Sequence, residues 1–193
     1  MSATSPLTLS PSSTALVVID VQERLVAAMP EEGAAQTIAR AERLISGAKG
    51  LALPVLVTEQ YPKGLGLTVG SLRDKALDAG ALFLEKLDFD ATANEAVRAQ
   101  LLRWRAEGRT AIVLAGMEAH ICVYQTARGL TSLGFAVHVA FDAVCSREKA
   151  NQDVARSLLH YAGAWVSSSE VVLFDLVGRA GSDTFKVISK LVR

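Results

Sequence analysis

The chain has little with which to staple itself and no surplus charge of either sign. Two cysteines among 193 residues, Cys122 and Cys145, are too few for a disulfide framework. The fold must therefore rest on a packed core, and a reducing, cytoplasmic setting is expected. Twenty basic residues stand against twenty acidic ones, so the formal net charge is zero. Without an excess positive field, no nucleic-acid partner and no membrane-surface partner is expected. No uninterrupted apolar run approaches the roughly 18 residues that a membrane span needs. Residues 1–13 are Ser/Thr/Pro-rich and lack both a basic start and an apolar stretch, so they read as a flexible leader and not a signal peptide. Histidine is scarce too. His120, His138 and His160 are scattered without ligand spacing, so no metal site is expected.

What the chain does hold is aliphatic. Half of its residues are hydrophobic, which at this length supports one sizeable domain, taken as residues 14–193. Residues 15–19 (ALVVI) form a continuous aliphatic run, the pattern of a strand buried on both faces. Residues 53–58 (LPVLVT), 81–84, 110–115 (TAIVLA) and 135–141 (FAVHVAF) repeat it, and 164–167 is a weaker sixth. Amphipathic stretches at 36–49, 93–107 and 148–161 lie between them and predict helices. Thr92 followed by Glu95 fits a capping box, and Gly108 sits where a helix end favours glycine. The alternation predicts an α/β protein: a three-layer, Rossmann-like fold with a six-stranded, mostly parallel sheet and helices on both faces. Such sheets bind ligands beyond the carboxyl ends of their strands, where the strand order reverses.

Polar residues at three strand tips are therefore the candidates. Asp20 follows the first strand, although a turn or N-cap aspartate fits the same position. Lys86 follows the third, where a solvated lysine is the ordinary occupant. After the fourth comes GMEAHICVYQTA, with a helix expected to begin near His120 and Cys122 in its first turn. The positive end of that helix is expected to lower the thiol pKa. An inert core cysteine is the alternative. The three together form a pattern that none forms singly.

These residues resemble the isochorismatase-like cysteine hydrolases. The resemblance runs from about residue 14 to about 187 and is carried by VVIDVQ, EKLDFDA, GMEAHICVYQTA and DAVCSR, in that order. The segment TEQYPKGLG, residues 58–66, is similar to a branch of isochorismatase-domain proteins whose substrate is unsettled. The resemblance implies a triad in which Cys122 is the nucleophile, Asp20 its base and later the acid toward a leaving amine, and Lys86 the group that holds Asp20. It also implies a cis peptide between Met117 and Glu118, with the N–H groups of Glu118 and Cys122 converging on an oxyanion. Gln22, Tyr61, Phe89 and His120 are expected to line the substrate pocket. Cys145 is expected to be structural.

Two departures sharpen this expectation. The family's nicotinamidases carry a metal site after the second strand, whereas EQYPKGLGLTVG, residues 59–70, holds no histidine. True isochorismatases cleave a vinyl ether without relying on a cysteine, so Cys122 favours amide-type chemistry. The expected reaction is metal-independent hydrolysis of an amide, imide or ureido C–N bond in a small-molecule substrate, through an acyl-cysteine. No cofactor is expected, because GLGLTVG has the wrong glycine spacing and follows the wrong strand for dinucleotides. Cys122 and Arg128 have the C-x5-R spacing of cysteine phosphatases, but VYQTA lacks the glycine that a phosphate loop needs. A catalytically silent scaffold is the other alternative. The resemblance implies a homo-oligomer, and residues 173–192 offer apolar surface for an interface.

Overall fold

In the computed structural model, which describes residues 8–192, the aliphatic runs are strands and the amphipathic stretches are helices packed on them. β1 (Thr14–Ile19) is followed by the short α1 (Glu23–Ala27) and the long α2 (Glu31–Gly50). β2 (Val55–Gln60) leads through α3 (Pro62–Leu65) and α4 (Gly70–Asp78) to β3 (Leu82–Lys86). Then come α5 (Glu95–Ala106), β4 (Ala111–Met117), α6 (Tyr124–Ser132) and β5 (Ala136–Cys145). The chain continues through α7 (Lys149–Tyr161), β6 (Trp165–Ser167), α8 (Ser169–Val177) and α9 (Asp183–Leu191). The six strands form one sheet in the order β3-β2-β1-β4-β5-β6. Every neighbouring pair is parallel, a stricter arrangement than the sequence predicts.

Alternation along β1 builds two cores, because successive side chains of a strand point to opposite faces. Leu16 and Val18 pack with Leu44 and Ile45 of α2, Leu173 of α8 and Ile188 of α9. Ala15, Val17 and Ile19 pack on the other face with Leu101 of α5, Leu130 of α6 and Leu159 of α7. Helices thus cover both faces, and the sheet is the middle layer.

The strand order reverses between β1 and β4, which opens a crevice at their carboxyl ends. Gly116, near the end of β4, has φ +123°, and a Cβ there would collide with the Ile19 carbonyl. Only glycine lets the end of β4 lie so close to the end of β1.

The structure departs from the sequence expectations in several places. β3 runs to Lys86, so the lysine ends the strand instead of following it. β3 is also an edge strand with exposed and half-buried positions, not one buried on both faces. β5 extends through Cys145 and absorbs most of DAVCSR. The expected capping box does not form: Asn94 caps α5, accepting from Ala96 N and Val97 N. Thr92 sits in a preceding 3-10 turn, where its N–H and hydroxyl both donate to Asp90 Oδ1. Of the expected leader, residues 1–7 lie outside the described residues. Beyond them Leu9 is only 3% exposed and donates its N–H to Asp175 of α8. Arg109 holds the carbonyls of Pro11 and Thr14.

Candidate active site

Asp20 leaves β1 with φ 52°, a left-handed conformation that aspartate tolerates better than most residues. Its N–H donates to Thr58 O at 3.1 Å, and its carbonyl accepts from Gln22 N at 2.9 Å. The register of β1, β2 and β3 sets Ile19 beside Thr58 and Gln60 beside Lys86. Lys86 is therefore two strands from Asp20, and its long side chain bridges that gap. Its ammonium donates to Asp20 Oδ2 at 2.6 Å, to Gln60 Oε1 at 2.6 Å and to Asp88 O at 3.2 Å. Thr58 Oγ1 donates to Asp20 Oδ1 at 2.7 Å. Both members of the ion pair have side chains fully removed from solvent.

Cys122 arrives from the other side of the crevice. The expected helix start is a single π-type turn, Ala119–Val123, closed by Val123 N donating to Glu118 O across five residues. α6 follows directly. The turn leaves Cys122 buried beside Asp20 and Lys86, near enough for both charges to act on its thiol. The three strand-tip residues thus converge on one point. The Met117–Glu118 peptide ahead of the turn is cis.

The electrostatics overturn one expectation. The Cys122 thiol is pushed up to about 12, not down. Burial is the largest cause and the adjoining Asp20 charge adds to it, with Lys86 pulling the other way. The positive end of the turn, which α6 continues, does not offset the desolvation of a thiolate. Burial also pushes the Asp20 carboxyl up, opposed by Lys86 and by hydrogen bonds from Lys86, Thr58 and Cys122. Burial thus raises the proton affinity of both the Cys122 thiol and the Asp20 carboxyl.

The other expected residues divide. Gln22 is buried with its amide engaged: Nε2 donates to Gln60 O and Gly66 O, and Oε1 accepts from Gln60 N. It ties the end of β2 to the segment that follows it. Tyr61 and Phe89 are 52% and 54% exposed. Tyr61 lines a cavity of about 420 Å³ with Pro62, Leu87 and Asn94, and Lys86 contributes to its wall. Phe89 is not among the lining residues of that cavity. A larger cavity, of about 680 Å³, lies along β6 and holds none of the three strand-tip residues. His120 is half-buried with Nδ1 on Ser146 Oγ at 2.9 Å. The Glu118 carboxylate accepts from Arg147 N and Nε at 2.9 and 3.0 Å, so the segment after β5 braces the turn that carries Cys122. Cys145 is buried at the end of β5, in the opposite core from Cys122. Arg128 is exposed on α6 over the Tyr124 ring, so the C-x5-R pair forms no phosphate loop.

Thr58 and Gln60 were not singled out by sequence, yet they bind the ion pair directly. Their signal was the tail of β2, where an aliphatic run ends in Thr-Glu-Gln. The intervening Glu59 faces elsewhere and accepts from Thr68 N, Thr68 Oγ1 and Arg73. Among the described residues, no group of three or more His, Cys, Asp and Glu is arranged to hold a metal ion. Nor, among them, is any helix long and apolar enough to cross a membrane.

Comparison with known proteins converges on one family. The Isochorismatase domain model matches residues 14–171. Isochorismatase domain-containing protein 1 of Salmo salar is 35% identical over 185 residues, which are 96% of this chain. This chain spans only 62% of that relative's length. The secreted isochorismatase effector Isc1 of Phytophthora sojae is 36% identical over 189 residues, covering 96% of this chain and 87% of the effector. Among solved structures, the MAR1 ribonuclease from Caenorhabditis elegans superposes with a TM-score of 0.87 at 34% identity. The alignment covers 96% of this chain and 92% of that one.

Proposed function

Because this chain belongs to the isochorismatase domain family, we propose that it is a metal-independent cysteine hydrolase. Its substrate is a small molecule with an amide, imide or ureido C–N bond. The observation that carries this reading is the buried contact of the Cys122 thiol with the Asp20–Lys86 pair. A thiol held near 12 is not a nucleophile until a base takes its proton, and a desolvated carboxylate in contact with it is suited to that task.

In the proposed cycle, sulfur attacks the carbonyl carbon as its proton passes to Asp20. The N–H groups of Glu118 and Cys122 receive the oxyanion, a type of contact that contributes about 3 kcal/mol per donor. Asp20 returns the proton to nitrogen as the C–N bond breaks and the amine leaves. Water then attacks the thioester, giving one proton to Asp20, which restores it to sulfur as the acid departs. Lys86 holds Asp20 through its hydrogen bond to Oδ2 and faces whichever anion stands beside it. A silent scaffold would keep an ion pair whose desolvation costs stability, with nothing gained in return.

The free, buried thiols at Cys122 and Cys145 suit a reducing compartment, and we place the protein in the cytoplasm. The half-exposed Val171, Phe174 and Val187 of α8 and α9 suit a homo-oligomer. A panel of small amides, imides and ureido compounds, monitored for ammonia, tests the reaction. Turnover is expected in the native chain, lost in Cys122→Ala and unchanged by prolonged chelation. Turnover that survives Cys122→Ala, or that EDTA removes and zinc restores, overturns the proposal.

A further inference from the structure

We infer that Thr58 is a positioning residue: its hydroxyl holds Asp20 Oδ1 and keeps Asp20 a carboxylate ready to take the Cys122 proton. The inference rests on Asp20 being the base. Asp20 Oδ2 accepts from Lys86 at 2.6 Å, and Oδ1 accepts from Thr58 Oγ1 at 2.7 Å. Each carboxylate oxygen therefore has its own donor. Thr58 and Asp20 are both wholly buried, so no water competes for these positions. Thr58 is also held by its main chain, whose carbonyl accepts the Asp20 N–H. One residue thus fixes both the backbone and the side chain of the proposed base.

The chemistry gives this contact a purpose. Burial alone favours the neutral acid, and an Asp20 already protonated cannot accept a proton from sulfur. Two donors aimed at the carboxylate favour its charged form, and a threonine hydroxyl has only one hydrogen to give. The titratable groups facing Asp20 are Lys86 from β3 and Cys122 from the turn after β4. β2 faces it with Thr58, which does not titrate near neutrality, while Glu59 is engaged by Thr68 and Arg73. Among the described residues, Thr58 is therefore the donor to Asp20 that carries no titrating proton near neutrality, and it tunes the base.

The test reads the rate of Cys122 alkylation by iodoacetamide against pH, which needs no substrate. Thr58→Val keeps the branched shape and deletes the donor. The acid limb of its profile is expected to move to higher pH by about one to two units, and Thr58→Ser is expected to return it toward the native position. A residue that only packed would change thermal unfolding without moving this limb. Should Thr58→Val not fold, the smaller Thr58→Ala carries the same expectation. A Thr58→Val or Thr58→Ala limb coincident with the native one, in a protein whose limb vanishes in Asp20→Asn, overturns the role of Thr58 and leaves Asp20 as base. A profile unchanged in Asp20→Asn instead removes the reading on which the inference rests.

Discussion

The reactivity proposed for Cys122 depends on a neighbour more than on its own ionisation. With the thiol near 12, the thiolate fraction at neutral pH is negligible unless the proton has a local acceptor. Asp20→Asn removes the acceptor and nearly preserves the shape. Alkylation of Cys122 at pH 7 is expected to fall by at least about tenfold in that variant, in line with the usual size of general-base assistance. Cys145 has no such partner pair, and its thiol is raised chiefly by burial. It should react slowly in both proteins. Peptide mapping after timed alkylation separates the two cysteines, and an equal Cys122 rate in Asp20→Asn would sink the base assignment. The three charged or nucleophilic residues were legible in sequence because each stands at the end of an aliphatic run. Thr58 and Gln60 were not, since threonine and glutamine at a strand end have many uses and only the neighbouring strands reveal theirs.

Element by element, legibility followed the strength of the local pattern. The long aliphatic runs of β1, β2 and β4 were found to within a residue or two, because burial on both faces leaves few polar choices. Edge strand β3, expected at 81–84, lies at Leu82–Lys86, an offset no larger than that of β2. The sequence points to Thr92 as the cap of α5, whereas Asn94, the residue next to the helix, caps it. Asn94→Ala should therefore lower stability by about 1 kcal/mol, read as the shift of a urea midpoint at constant slope. No shift in Asn94→Ala would return the capping role to Thr92. The turn that presents Cys122 reads as an ordinary helix start in sequence. It is a π-type turn, in which the Glu118 carbonyl accepts from the N–H five residues on.

For the whole molecule, sheet order matters more than any single element. β2 lies between β1 and β3, so residues 66 positions apart, Asp20 and Lys86, meet across it as a buried pair. At this scale the proposed homo-oligomer is checked by sedimentation. A mass that is a multiple of 20.5 kDa is expected at micromolar concentration. A single species of 20.5 kDa would remove the interface role expected of residues 173–192.

The order of aliphatic and amphipathic segments was enough to settle the α/β class, the number of strands and which polar residues stand near the strand tips. Those properties follow from local burial, which hydrophobic spacing records directly. The charge state of the thiol, the partners of Lys86 and the true use of Gln22 belong to the assembled sheet. They depend on which strand lies beside which, and on how completely water is excluded between them. Helix position argued for a lowered thiol pKa, but desolvation by two packed layers is the larger effect, and it reverses the sign.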